Sequence, residues 1–299
     1  MGSRKTTGES ARRGDLTVAP RVMYPAKAVL TRCRSLVWHA RTREAQRGHG
    51  IRILFYHRVS DAADELAVSS RRFRAQMEWL ARDRWEVLDV EAVASRLACG
   101  DDAGRVVGLS FDDAYADVGE NAEPILARLG FRATVFVATG VTDGSARFAW
   151  YDEQPPVLTW HDIQRLDAAG TLSFEPHTIT HPNLTSLGEE EARTEIVGSK
   201  RELERRLGRP AGVFCYPAGL AGERERRLVV DAGFAAAVSC EPGTNVAGGD
   251  PYFLRRIQVD HRDALVDFRA KVCGGHDEPL PLRRAWRRAR YGARSISRA

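Results

Sequence analysis

Short apolar runs, strongly β-branched in RATVFVAT, alternate with helix-patterned segments from about residue 51 to residue 240, and this alternation constrains the fold more than any other feature. Strands joined in series by helical crossovers build a parallel sheet, since only a crossover can return the chain to a parallel neighbour. The strand-like runs are IRILFYH (51–57), a short WEVLDV (85–90), VVGLSF (106–111), RATVFVAT (132–139), TLSFEPH (171–177), VFCYP (213–217) and AAAVSC (235–240). Between them, SRRFRAQMEWLARD (70–83) sets Phe73, Met77 and Leu80 at helical spacing, and a further helix starts at Glu91. ENAEPILARLG (120–130) is closed by Gly130, and TWHDIQRLDAAG (159–170) is capped by Thr159 and ended by Gly170. Helices are also expected over about 188–207 and in ERERRLVVDAGF (223–234). Seven or so such units predict a barrel-like α/β sheet, where chemistry gathers at the carboxyl ends of the strands.

At 299 residues and 43% hydrophobic, the chain can bury one large core, so a single principal domain is expected. Its five cysteines, Cys33, Cys99, Cys215, Cys240 and Cys273, are odd in number and scattered without a CxxC pair, which argues for reduced thiols rather than a disulfide framework. The net charge of +5 is unevenly placed. Residues 1–45 carry ten Lys/Arg against three Asp/Glu and residues 283–299 carry seven Arg and no acid, so the body between them is acidic. An acidic body with basic ends is a poor nucleic-acid groove binder and suits contact with an anionic membrane surface through the ends. No apolar stretch reaches the roughly 18 residues of a membrane span. AKAVLTRCRSLVWHARTR (26–43) is interrupted by Lys27, Arg32 and Arg34, so it lacks the core of a secretory signal and reads as a short basic amphipathic helix. The expected location is therefore cytoplasmic, with peripheral attachment to the inner membrane surface compatible with it. The C-terminal run LRRAWRRARYGARSISR (282–298) reads either as a solvated tail or as a headgroup contact with Trp286 and Tyr291 at the interface.

VVGLSF ends in two adjacent carboxylates, Asp112 and Asp113. Buried strands avoid unpaired charge, which costs several kcal/mol, so these two need compensation. Two other strand ends deliver ionisable groups toward the same face: His57 after IRILFY and His177 after TLSFEP. His181 follows His177 at H-x-x-x-H spacing, so two imidazoles can converge on one ion. One carboxylate with two neutral imidazoles makes a three-ligand face with positions left open, as in catalytic zinc sites, and frees the other carboxylate to take a proton from attacking water. A simple helix cap would explain one aspartate but not two with a downstream histidine pair. Trp150, Tyr151 and Trp160, read in the loop after TVFVAT, are candidates either for a sugar-stacking wall or for ordinary packing.

LSFDDAYADVGENAEPILARLGFRATVFV, EPHTITHPNLTSL and FCYPAG, with ILFYHRVS upstream, together resemble the polysaccharide deacetylase family, the NodB-homology group of carbohydrate esterase family 4. The likeness runs from about Ile51 to Val259. It implies a distorted (β/α) barrel that removes N-acetyl, or sometimes O-acetyl, groups from amino sugars with zinc, cobalt or another divalent ion. Residue by residue, it makes Asp112 the general base, Asp113, His177 and His181 the metal ligands, and the backbone N–H of Ala218 in CYPAG an oxyanion donor, a device worth about 3 kcal/mol. Three departures stand out. Ala114 replaces a glycine after the paired aspartates, where Gly tolerates backbone angles that Ala does not. Cys215 replaces the arginine that orients the base, a task open to Arg255 or Arg256 in FLRRIQV. The late Leu-x-His of the general acid is missing, which passes that role to His57 of YHRV.

The expected organisation is a basic extension over 1–45, a catalytic domain over 46–272 and a basic tail over 273–299. The expected activity is metal-dependent deacetylation of a sugar in a glycan or in a lipid- or nucleotide-linked envelope precursor. An O-acetyl esterase or non-sugar amidase on the same fold and a non-catalytic carbohydrate-binding protein are the alternatives. A nucleic-acid partner is not expected.

Overall fold

The computed structural model describes residues 23–41 and 50–278. Helix α1 (Met23–Arg41) precedes strand β1 (Arg52–Tyr56), the two-residue strands β2 (Arg58–Val59) and β3 (Ala67–Val68), helix α2 (Ser70–Arg82), β4 (Glu86–Leu88), α3 (Val90–Ala98) and β5 (Val106–Phe111). A π-helical turn (Val118–Ala122) leads into α4 (Glu123–Leu129), followed by β6 (Ala133–Val137), the single turn α5 (Thr139–Thr142), α6 (Trp160–Ala169) and β7 (Leu172–Pro176). Then come α7 (Glu189–Leu207), β8 (Val213–Cys215), α8 (Glu223–Asp231), β9 (Ala236–Val238), β10 (Arg256–Gln258) and α9 (Leu265–Val272).

Every pairing between these strands is parallel. The main sheet runs β10-β1-β5-β6-β7. β5 is shared on its far side, with β4 against Val106–Gly108 and β6 against Ser110 and Phe111. β8 and β9 form a separate pair, joined toward β10 by a parallel bridge between Val238 and Leu254. The result is a distorted (β/α) barrel whose backbone ladder is interrupted between β7 and β8. Side chains cross that seam: Glu175 Oε2 accepts the Val213 N–H at 2.9 Å, and the His177 ring bonds the Cys215 carbonyl from Nδ1 at 2.7 Å.

The helices form where capping and periodicity direct. In α2, Phe73, Met77 and Leu80 are fully buried, and Ser69 caps the start by accepting from the Arg72 N–H. Thr159 caps α6, and Gly130 and Gly170 end α4 and α6 in the left-handed conformation. The expected helix over 120–130 is corrected at its start. Pro124 has no N–H to return to the carbonyl four residues back, so the chain enters α4 through the wider π turn. The strand-like runs are also trimmed at their carboxyl ends, so that His57, Asp112 and His177 lie just past the last paired residues. β10 and α9 carry no sequence expectation. Arg256, Ile257 and Gln258 are a strand only because β1 offers them a partner edge.

Candidate active site

The register of the sheet gathers the polar residues. Tyr56 pairs with Phe111, so His57 and Asp112 leave adjacent strands at the same level, and the Asp112 N–H is tied to the Tyr56 carbonyl at 2.9 Å. Val137 pairs with Pro176, and the His177 N–H bonds the Val137 carbonyl at 2.8 Å. After Asp112 the chain turns sharply through Asp113 at φ 72 and Ala114 at φ 50. Two consecutive left-handed residues, neither of them glycine, store strain of roughly 1–2 kcal/mol each. Ala114 is therefore accommodated without loss of the turn, and it is fully buried. The same turn draws in the loop before α6, since Ala116 N–H bonds Pro156 O at 2.9 Å and Leu158 N–H bonds Ala114 O at 2.8 Å.

Asp113 Oδ1 lies 3.8 Å from His177 Nε2 and 3.5 Å from His181 Nε2. The three potential ligand atoms are all within 4.8 Å of one another. His181 sits on a second strained turn, with Thr178 at φ 66 and itself at φ 58. Glu195, from α7, holds this turn by accepting the Ile179 and Thr180 N–H groups at 2.8 and 2.9 Å, and Thr178 Oγ1 accepts the His181 N–H at 3.0 Å. Glu195 is a positioning residue that sequence reasoning missed. Its signal was faint, one acid among many on a helix whose first turn already holds three.

The cluster fits a divalent cation. Asp113 Oδ1 is buried and has no hydrogen-bond donor, an arrangement that costs free energy unless a positive charge faces it. In the bare protein, burial and the neighbouring Asp112 charge push the Asp113 carboxyl well above its ordinary range. Burial pulls His177 down to about 4, against the pull of Asp112. Burial, together with His177, takes His181 well below its usual value. Both rings are thus neutral near pH 7, as ligands must be, and the Cys215 carbonyl holds the His177 Nδ1 proton so that Nε2 faces Asp113.

Asp112 is treated differently by its surroundings. Burial would raise its pKa, but the Arg256 guanidinium outweighs burial and holds the carboxyl below its ordinary value. The contact is bidentate, Nη1 to Oδ1 at 2.6 Å and Nη2 to Oδ2 at 2.9 Å. Arg256 is fully buried, with its guanidinium carbon 4.5 Å from the Phe55 ring centre and 5.3 Å from that of Phe136. Of the two arginines proposed as the replacement, Arg256 fills the place. Arg255 instead gives its backbone N–H to Asn245 at 2.8 Å. The substitution at Cys215 is complementary: its Sγ lies 3.1 Å from Arg256 Nη2 and 4.0 Å from Asp112 Oδ1, so the small side chain leaves the guanidinium room to reach the carboxylate. Asp112, His177 and Cys215 also lie close enough to ligate an ion. Arg256 already supplies the positive charge there, so Asp113, His177 and His181 are the better cation site.

His57 is half-buried, packs edge-on against Phe55, and lies near enough for its charge to weigh on Asp112, His177 and His181. Ala218 stands at φ 52 in a 3-10 turn, flanked by the Gly219 N–H bond to Tyr216 O and the Leu220 N–H bond to Pro217 O. Gly219 has to be glycine, since a Cβ there would lie 2.2 Å from the Cys240 nitrogen. Of the three aromatic candidates, Trp150 stacks on Phe148 at 4.7 Å and meets His181 edge-on at 5.0 Å. The Tyr151 hydroxyl donates to Asp64 at 2.5 Å, which Arg58 also binds at 2.6 Å, so its polar end is committed to the rim. Trp160 is corrected: it opens α6 rather than lying in the loop, and its ring packs under Arg206.

Residues 100–237 match the family described as Polysaccharide deacetylase. The protein named "Putative polysaccharide deacetylase YxkH" of Bacillus subtilis (strain 168) is 27% identical over 208 residues, covering 69% of this chain and 70% of that protein. Poly-beta-1,6-N-acetyl-D-glucosamine N-deacetylase of Staphylococcus aureus (strain MRSA252) is 23% identical over 233 residues, covering 75% of this chain and 78% of that protein. Among solved structures, IcaB from Ammonifex degensii superposes with a TM-score of 0.68 at 23% identity, covering 76% of this chain and 99% of that one. The fold is thereby established as that of these deacetylases.

Proposed function

We propose that this protein, whose residues 100–237 match the family described as Polysaccharide deacetylase, removes N-acetyl groups from an amino-sugar glycan and releases acetate. One observation carries the reading: the buried Asp113–His177–His181 cluster lies beside a second carboxylate, Asp112, that Arg256 keeps ionised and fixed. A protein that only bound carbohydrate would have no use for an ionised base next to a cation site.

A divalent ion held by Asp113, His177 and His181, zinc or a similar metal, would supply Lewis-acid polarisation of the acetamide carbonyl and of water. Asp112 accepts the proton of the attacking water, and its bidentate contact with Arg256 keeps the acceptor oxygen in one orientation. To the Ala218 N–H we assign the role of backbone donor to the negative charge that develops on the carbonyl oxygen. His57, whose charge is felt by Asp112, His177 and His181, delivers a proton to the departing amine. Trp150, packed against His181, supplies an apolar wall.

The substrate class we propose is a cell-envelope glycan or its lipid- or nucleotide-linked precursor. The staphylococcal relative makes a β-1,6-linked N-acetylglucosamine polymer the first substrate to try. The discriminating experiment compares acetate release from N-acetylglucosamine oligomers with release from O-acetyl glycosides lacking an acetamido group. The reading predicts faster release from the acetamide. Release from the ester alone would replace it with an O-acetyl esterase.

A further inference from the structure

We propose that the outward face of α1 is a docking surface for an anionic lipid bilayer, an inference independent of the reaction assigned above. The inner face of α1 is clamped to α9 and to the turn after it. Arg32 grips Asp267, its Nε 2.8 Å from Oδ2, and the His39 ring bonds the Val266 carbonyl at 3.1 Å. Ser35 Oγ lies 3.0 Å from His276 Nε2 in a buried contact. A helix held this firmly on one side has a fixed outer side.

That outer side is apolar. Val29, Leu30, Leu36 and Val37 are 63%, 40%, 54% and 50% exposed, and the exposed Cys33 lies between them. Positions 29, 33, 36 and 37 fall on one stripe of a 3.6-residue helix. Four of the seven large apolar side chains exposed among the described residues are on this one helix, a concentration that marks an interaction face rather than scattered surface residues.

Charge selects the occupant. The stripe lies within a stretch, residues 1–45, that carries ten basic residues against three acidic ones. The other basic end starts beside it: Arg34 bonds the Gly275 carbonyl at 2.6 Å and the Glu278 carbonyl at 2.5 Å. Residue 278 is the last one described, so the segment holding seven arginines and no acid continues from a point held against α1. A second copy of the chain would meet this basic stretch with another of the same sign, whereas an anionic bilayer offers the opposite charge while covering the stripe. None of the described helices is long and apolar enough to cross a membrane, so α1 would lie on the surface.

The test is co-sedimentation of the full chain with vesicles of phosphatidylcholine alone and of phosphatidylcholine mixed with phosphatidylglycerol, at low and high salt. The proposal predicts binding to the mixed vesicles at least about tenfold stronger than to neutral ones and weakened by salt. It also predicts that Leu36→Glu with Val37→Glu abolishes binding while thermal unfolding stays that of the wild type, both positions being exposed. An environment-sensitive dye on Cys33, in a Cys99→Ser background, should shift to the blue on binding. Failure to bind mixed vesicles would overturn the proposal, as would binding that survives the double substitution, which would assign attachment to the basic ends alone. Concentration-dependent dimerisation that the double substitution removes, without vesicle binding, would give the face to a second copy.

Discussion

Arg256 decides what kind of group Asp112 is. A carboxylate this deeply buried would protonate and lose its capacity as a base, yet the bidentate guanidinium keeps it charged. Arg256→Met removes the counter-charge, so the Asp112 pKa rises and the acid limb of the kcat/KM profile moves to higher pH. We expect kcat to fall at least about a hundredfold. The variant should also unfold more easily, by about 3–5 kcal/mol, because a buried ion pair has lost one partner. Arg256→Lys restores the charge but not the two-point contact, and should recover stability more than rate. A pH–rate profile and a urea melt on both variants check this. An unmoved acid limb in Arg256→Met would show that the guanidinium is only structural. At this scale the sequence was most legible, because Asp112, Asp113, His177 and His181 occupy strand ends that an apolar pattern can locate. Arg256 was visible only as one of two adjacent arginines, since nothing in RRIQ says which side chain enters the barrel until β1 fixes the register.

Elements with strong local signals formed where their signals lie, and those without were found only in three dimensions. Thr159, Gly130 and Gly170 bound their helices by capping, a chemistry local to a few residues. β10 is three residues long and exists through its neighbour, so no local pattern announces it. The docking of α1 is equally non-local and carries a titratable contact. Burial, then the charges of Lys271 and Arg34, pull His276 down to about 3 from an ordinary 6.5. Above pH 6.5 the ring is neutral whether docked or not, and the contact with Ser35 has its full stability. As pH falls from 6.5 toward 3, the undocked chain binds a proton that the docked ring refuses, so stability is lost across that window. The loss is on the order of a few kcal/mol. Amide exchange in α1 should therefore accelerate between pH 6.5 and 4 after correction for intrinsic rates, and His276→Gln, which keeps a partner for Ser35, should flatten the dependence. A pH-independent α1 in the wild type would contradict this.

For the whole molecule the decisive feature is that the barrel is incompletely closed by its backbone. Alternating strands and helices predict a closed parallel sheet, but not that the β7–β8 ladder is missing, because alternation specifies neighbours only where side-chain patterns are repeated. Glu175 substitutes for ladder bonds by accepting the Val213 N–H and the Arg209 guanidinium, and His177 does the same one step nearer the site. Burial raises the Glu175 carboxyl to about 7, so near neutrality it is divided between its two forms; an amide keeps an oxygen for the Val213 N–H but turns its NH2 toward Arg209. Glu175→Ala should therefore cost about 1–3 kcal/mol, the penalty of an orphaned buried N–H, while Glu175→Gln costs less. Because β8 also carries the carbonyl that orients His177, Glu175→Ala should weaken zinc binding in titration calorimetry about tenfold or more. Wild-type affinity in Glu175→Ala would mean that the seam and the site are independent.

The proposed reaction rests on Asp112 acting as a base beside a metal held by Asp113, His177 and His181. Acetate release from N-acetylglucosamine oligomers, measured with and without added zinc or cobalt in the wild type and in Asp112→Asn, tests it most directly. Release should depend on the metal, and Asp112→Asn should lower it by about 10²–10⁴-fold while still binding the metal. Undiminished release from Asp112→Asn, or release that survives complete removal of divalent ions, would contradict it.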